Sequence, residues 1–451
     1  MISGKDLIEF GHKPAIWFKE AIETINKQEL SGEAMHSYIE SIKPAPIKTI
    51  PLQSNIPFFE NIKAENEVEQ DNLNKVRASM LKIMETPTVV SGNIMPDCCP
   101  SGPIGTIPVG GVIISRNTIF PGMHSADICC SVMLTNLGKL NPKDALDAFH
   151  NITHFGPGGR QRGNQFKMSE ELIDDFKSNS LLNSPKLISL AMEHLGTCGS
   201  SNHFNFVGTL KSTGDVCIVT HFGSRAPGAN LYKAGMVIAE KFRKQLSPDT
   251  MPCNAWIPFD TKEGEEYWKA LQIIRKWTKE NHISLHDKVC KTLEINKKDR
   301  HWNEHNFVFK DNDLFYHAKG ATPMDGKFLP DAENSKRIIP LNMAQPILIA
   351  EGTTTETNLG FAPHGAGRNM SRTQHKAAQG NRTKEEIFAE ETKGIDARFY
   401  FGKIDLSELP SAYKDAEQVK AQIKEFKLAN VVDELDPYGS IMSGEEQFNK
   451  T

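Results

Sequence analysis

A chain of 451 residues, 39% hydrophobic and 24% charged, has the composition of an ordinary globular protein and is long enough to bury a large core. Its net charge of -4 excludes a globally basic nucleic-acid-binding surface while leaving room for a local basic groove. No stretch approaches about 18 continuous apolar residues, which excludes a membrane span, and the start Met1-Ile2-Ser3-Gly4-Lys5-Asp6 lacks the pattern of a secretory leader. A cytoplasmic location is therefore expected, with the eight cysteines as thiols rather than a disulfide framework.

In chain order, residues 17–45 read as helix and loop, and 66–84 as a helix with an acidic, solvated start. From about residue 88 short β-branched runs punctuated by glycine predict strands at 110–114, 131–134, 216–220, 306–309, 345–349 and 398–401. Apolar residues at helical spacing predict helices over 231–246 and 265–294, and Val419, Ile423 and Phe426 mark a C-terminal one. The pattern predicts an α+β protein: one large mixed α/β domain over 88–442, with a sheet-borne metal site and long loops. A helical and loop segment, 1–87, is expected to pack on it, and 443–451 to form a frayed tail.

The tract Pro363-His364-Gly365-Ala366-Gly367-Arg368-Asn369-Met370-Ser371-Arg372 sets one imidazole between glycines and two guanidinium groups. Glycine lets main-chain amides approach an anion, arginine grips phosphate oxygens in pairs, and histidine can serve as ligand, acid, base or nucleophile. Upstream, four segments put metal-binding side chains at strand ends or beside glycines: Asp127 with Cys130, His203, His221 and His305. One carboxylate, one thiol and three imidazoles suit a borderline ion such as Mn, Zn, Co or Fe rather than Mg or Ca. Asp127 and Cys130 are close enough in sequence to share a site, and a thiolate can bridge two ions. Metal ligands followed by a glycine and arginine tract fit a metal-assisted reaction of phosphate.

The ordered series Asp127-x-x-Cys130, Asn202-His203-Phe204, His221-x-Gly223-Ser224-Arg225, His305-Asn306, His317-Ala318-Lys319-Gly320-Ala321-Thr322 and His364-Gly365-Ala366-Gly367-Arg368-x-x-Ser371-Arg372 resembles the RtcB-type RNA ligases, known as tRNA-splicing ligases. The resemblance runs from roughly residue 90 to 442 and includes Met95-Pro96-Asp97, the glycine-rich basic loop 156–163 and Ala412-Tyr413-Lys414-Asp415. It implies a single catalytic domain that joins RNA 3′-phosphate or 2′,3′-cyclic phosphate ends to 5′-hydroxyl ends, using GTP and two Mn²⁺ ions, in RNA repair or tRNA splicing. By the same resemblance Asp127, Cys130, His203, His221 and His305 are the metal ligands, with Cys130 as the bridge, and His364 is the nucleotidylated histidine. Asn202, Gly365, Ala366, Gly367, Arg368 and Tyr413 fall at nucleotide-contacting positions. Arg225, Arg372, Arg160 and Arg162 are candidates for holding RNA phosphates. The implied partners are RNA and a nucleoside triphosphate, with no membrane, a monomeric chain and room for an accessory protein.

The chain departs from that family around the base. The glutamate and lysine that contact guanine are Phe206 and Met442 here, Asp-x-Gly-Cys-Gly is Asp127-Ile128-Cys129-Cys130-Ser131, and Gly-Ser-Met-Gly is replaced by Ala350-Glu351-Gly352-Thr353-Thr354. Relaxed guanine selectivity is the expectation, with a base stacked on Phe206 or Tyr413. Two alternatives stand beside ligation: a metal-dependent RNA end-processing phosphodiesterase, and an inactive RNA-binding protein.

Overall fold

In a computed structural model, residues 1–12, 14–15, 17–43, 49–328 and 336–445 are described. The chain divides into two compact units, Met1–Ile50 and Pro51–Thr451, so the boundary expected at 87 falls inside the second unit. Most of the tail expected after Ser443 lies outside the described residues. The first unit packs helices Gly4–Glu9, Trp17–Lys27 and Gly32–Ile42 around Leu7, Phe18, Ala21, Ile25, Met35 and Ile39, which recur at helical spacing and are buried.

Among the described residues the second unit is built on two large sheets, with two further two-stranded pairings. One has five strands in the order Phe59–Glu60, Val89–Cys99, Val109–Arg116, Leu314–Lys319, Asn306–Asp311. The other runs Lys336–Ile339, Ile347–Gly352, Ala429–Met442, Phe204–Leu210, Val216–Phe222, Ser131–Gly138, Arg300–Glu304, with Asp396–Phe399 added beside Ala429–Met442. Arg300–Glu304 of the second sheet passes into Asn306–Asp311 of the first, so His305 alone is the junction. The junction is tied to the loop before Ser131: the His305 amide donates to the Cys130 carbonyl at 2.9 Å, and the Cys129 amide to that of Asn306 at 2.6 Å.

Val216–Phe222 is buried along its whole length because both neighbours pair with it and the 31-residue helix Lys262–Thr292 covers one face. That helix begins on Thr261, whose hydroxyl accepts from the Gly264 amide. It buries Tyr267, Leu271, Ile274 and Trp277 in the core, then presents His282 and His286 to the sheet. The Thr220 hydroxyl lies 2.6 Å from His282 Nδ1 and 2.8 Å from His286 Nε2, and the His282 ring stacks on Phe222 at 3.9 Å. Burial pushes His282 down to about 3, so it is a neutral structural group behind the sheet.

Four predicted strands, 110–114, 131–134, 216–220 and 306–309, lie inside observed ones, while 345–349 and 398–401 are shifted against Ile347–Gly352 and Asp396–Phe399. Ala429–Met442 was not among the predicted strands; the sheet absorbs its Pro437 and Gly439 as a register shift between those two residues. The helix Glu67–Met84 is capped by Asn66, and its acidic start is solvated at Glu67 and Asp71 but not at Glu69, which is buried and accepts from Asn369 Nδ2 at 3.0 Å.

Candidate functional site

The five predicted metal ligands meet. Cys130 Sγ lies 3.2 Å from His221 Nε2 and 3.5 Å from His203 Nε2, His221 Nε2 is 3.2 Å from His305 Nε2, and His203 Nε2 is 3.0 Å from Asp127 Oδ2. Two donor groups result, Cys130 with His221 and His305, and Asp127 with Cys130 and His203, sharing the one thiol. Backbone carbonyls aim two of the rings: His203 Nδ1 faces Cys198 O at 2.8 Å and His221 Nδ1 faces Asn202 O at 3.1 Å, turning both Nε2 atoms inward. Burial pushes His221 and His305 well below the usual imidazole range, so both are neutral and ready to ligate. Burial pushes the Cys130 thiol well above its ordinary value, and it also works to raise Asp127, but the hydrogen bond with His203 leaves that carboxyl lowered. With its proton on Nδ1 facing a carbonyl, His221 points its Nε2 lone pair into the cluster, where a cation would take it. The donor set fits the borderline ion expected from its chemistry.

The loops that carry these groups hold left-handed backbone at non-glycine residues: Ser125 at φ 73, Cys129 at 58, Ser201 at 66 and Arg225 at 49. Each costs on the order of 1 kcal/mol or more and persists where packing dictates it. Gly223 is obligatory for space, because a Cβ there would sit 2.0 Å from Asp127 Oδ1.

His364 stands beside the cluster, its ring centroid 4.8 Å from that of His305. Asp97, fully buried on Val89–Cys99, takes up its Nδ1 at 2.6 Å and accepts its backbone amide at 3.1 Å. The carboxylate therefore keeps the proton on Nδ1 and leaves the Nε2 lone pair for chemistry. Lys414 fixes this pairing. Its Nζ donates to Pro96 O at 2.8 Å and Cys98 O at 2.9 Å, the carbonyls flanking Asp97, and its amide donates to Gly367 O at 3.0 Å. Gly367, at φ 74, could carry no side chain, since a Cβ would meet Asp97 O at 2.1 Å. Replacing Asp97 by Asn keeps an oxygen toward both the amide and Nδ1, because Oδ2 accepts from both, but removes the negative charge beside the ring; on the reading proposed below, nucleotide labelling of His364 is expected to slow by about 10- to 100-fold with the fold intact, measured by initial labelling rates and circular dichroism.

One cavity of about 660 Å³ connects these groups; its wall includes Asp127, Cys130, Asn202, His221, His305, the tract His364 to Arg372, and Tyr413. Arg368 and Arg372 converge on Glu408, which is 2% exposed: Arg368 Nη2 lies 2.7 Å from Oε2, Arg372 Nε 3.0 Å from Oε1, and the Tyr413 hydroxyl 2.7 Å from Oε2. The Arg368 guanidinium also covers one face of the Tyr413 ring at 4.5 Å.

Arg160, Arg162 and Arg225 are not in the cavity wall. Arg160 donates to Gly196 O and Ile152 O and lies over Phe166, and Arg162 is on an exposed loop. Arg225 donates to Gly156 O at 2.7 Å and packs under the loop that leads to His203. Reading single residues missed Asp97 and Glu408 as partners of His364 and the arginines; the signal for Asp97 was its place in the Met95-Pro96-Asp97 match. It also missed Lys319, a cavity-wall amine that burial pushes down to about 8.

Comparison with known proteins agrees with this geometry. Residues 174–443 match the family model described as tRNA-splicing ligase RtcB. The chain is 26% identical to the tRNA-splicing ligase RtcB of Thermococcus kodakarensis, covering 74% of this chain and 84% of that protein. It is 28% identical to the one of Aeropyrum pernix, covering 75% and 84%, and 25% identical to RNA-splicing ligase RtcB homolog 1 of Entamoeba histolytica, covering 59% of each. Asp97, Asp127 and Cys130 lie before the matched segment, yet they complete the site that its histidines begin. With a family match over more than half its length and the mixed α/β architecture around that site, the chain belongs to the RtcB family.

Proposed function

We propose that this chain is an RNA ligase that joins 3′-phosphate or 2′,3′-cyclic phosphate ends to 5′-hydroxyl ends, carrying a nucleotide on His364 beside two Mn²⁺ ions, in RNA repair or tRNA splicing. The observation that carries the reading is His364 itself: Nδ1 is held by a buried carboxylate, and the ring lies against a five-donor cluster. Asp127, Cys130, His203, His221 and His305 would hold the ions, which when bound offset charge building on the transferring phosphoryl group.

The Nε2 lone pair attacks the α-phosphorus of a nucleoside triphosphate, the bond to pyrophosphate breaks, and pyrophosphate leaves with the electron pair. The proton stays on Nδ1, where Asp97 offsets the cationic ring. An oxygen of the RNA 3′-phosphate then attacks the carried phosphorus, and the N–P electron pair returns to Nε2, restoring neutral imidazole. The 5′-hydroxyl attacks the activated 3′-phosphate, loses its proton and expels the nucleoside monophosphate. A cyclic end first adds water across one P–O bond. GTP is the co-substrate that family membership suggests, and Asn202, the His364 to Arg368 tract and Tyr413 would surround it. Arg372, Arg368 and Lys319, which line the cavity, are better placed for RNA phosphates than Arg160, Arg162 or Arg225. Incubation with labelled nucleotide, Mn²⁺ and RNA carrying defined ends tests the proposal: ligated product with no covalent protein label would overturn the His364 route.

Glu408 removes one of the two positive charges that Arg368 and Arg372 bring. Glu408→Ala is expected to steepen the salt dependence of RNA binding by about one unit in the log–log slope while lowering the ligation rate, because both guanidinium groups lose their anchor. Fluorescence anisotropy at several salt concentrations, set beside ligation assays, measures the two effects.

A further inference from the structure

Beyond His364 and the metal cluster the cavity has an apolar recess. Its floor is a patch of sheet in which Phe204 pairs with His221 on one side and Met442 on the other, and Phe206 pairs with Ser440. Directly paired residues share a face, so His221, Phe204 and Met442 form one row; the ring centroids of Phe204 and His221 are 5.3 Å apart. Two strand spacings of about 4.8 Å carry the row roughly 10 Å from His221, within the same cavity that His364 lines. Leu341, Met343 and Ile347 extend the apolar wall.

The recess holds one unanswered polar group. Ser440 is 1% exposed and its hydroxyl has no hydrogen-bond partner among the described residues. The carboxylates lining the cavity, Asp127 and Glu408, are both engaged, the first with His203 and the second with Arg368, Arg372 and Tyr413.

We infer that this recess receives the base of the nucleotide carried by His364, and that it takes adenine at least as well as guanine; the inference rests on the nucleotidylated-histidine reading above. Guanine presents the N1–H and N2–H₂ donors together, and with both lining carboxylates engaged the pair meets no free charged acceptor. Adenine presents a donor beside an acceptor, and a rotating hydroxyl answers either one. Both purines cover the apolar floor more fully than a pyrimidine does.

The test is initial-rate labelling of the full chain by α-labelled ATP, GTP, CTP and UTP at equal subsaturating concentration with Mn²⁺, His364→Ala serving as the blank. ATP is expected to label at least as fast as GTP, and the pyrimidines at least about tenfold slower than ATP. GTP labelling faster than ATP, or alone, would overturn the inference and leave His364 as the carrier. No label from any nucleotide would overturn the carrier reading, and this inference with it. Met442→Glu supplies the missing acceptor and is expected to raise the GTP-to-ATP ratio by about tenfold; an unchanged ratio in a variant that still labels would remove the base from this recess. Should that variant fail to fold, Ser440→Ala is the milder probe, expected to slow both purines by about three- to tenfold, and no slowing would count against the placement equally.

Discussion

Replacing His364 with alanine is expected to abolish covalent nucleotide labelling and to reduce RNA ligation by about 10⁴-fold or more, the scale on which removal of a catalytic nucleophile acts. The fold should survive, because the ring fills part of a solvent-connected cavity and its single strong partner, Asp97, remains held between the carbonyls that Lys414 fixes. The variant separates three chemistries. A ligase loses label and product together but still opens cyclic phosphate ends, since that step uses water and the metal centre. A phosphodiesterase shows no label in either form and an unchanged opening rate. An inactive RNA-binding protein shows neither activity and unchanged RNA affinity. Gel-based assays of label, ligated product and cyclic-end opening on the same preparations distinguish them.

Cys130→Ala is expected to empty the metal centre. Cys130 is the donor common to both groups, so its loss reduces each to two ligands, whereas Asp127→Ala or His305→Ala damages only one. Loss of partners that merely orient a ligand costs about 10- to 100-fold in affinity, so loss of the shared ligand should exceed 100-fold. Metal analysis after dialysis should find two ions in the parent chain, none in Cys130→Ala and one in each single-group variant. Acidity should act through the same residue. Burial holds the Cys130 thiol well above its ordinary value, while His221 and His305 are held well below theirs and stay neutral. Metal binding must then expel the thiol proton, and apparent affinity should rise by about tenfold per pH unit between pH 6 and 8. A flat profile in a metal-buffered titration would mean that the thiol does not bind the ion.

The sheet core was legible because its strands advertise themselves: Val216-Cys217-Ile218-Val219-Thr220 is β-branched at four of five positions and carries no charge, as suits a strand buried on both faces. Candidate ligands were legible for a similar reason, since donor type and neighbouring glycine are local properties. Partnership across the chain was not. Asp97 and His364 are 267 residues apart, and nothing in one segment announces the other. Arginine was the least legible side chain, because a guanidinium that satisfies backbone carbonyls, as Arg160 does with Gly196 O, has the same sequence appearance as one that grips phosphate. The strand Ala429–Met442 hid behind Pro437 and Gly439, whose local preference for a turn is outweighed by pairing on both sides.

The single-residue junction at His305 has a mechanical consequence. Ions gripped by His305 from the seam between the sheets and by Cys130, His203 and His221 from the second sheet would act as a cross-brace, coupling site geometry to the alignment of the whole framework. Occupancy and rigidity become one thermodynamic quantity: an ion at a hundredfold excess over its Kd adds about 2.7 kcal/mol of stability. A substitution far from the cavity that lets one sheet slide against the other would then first weaken the grip on metal, well before it unfolds the chain.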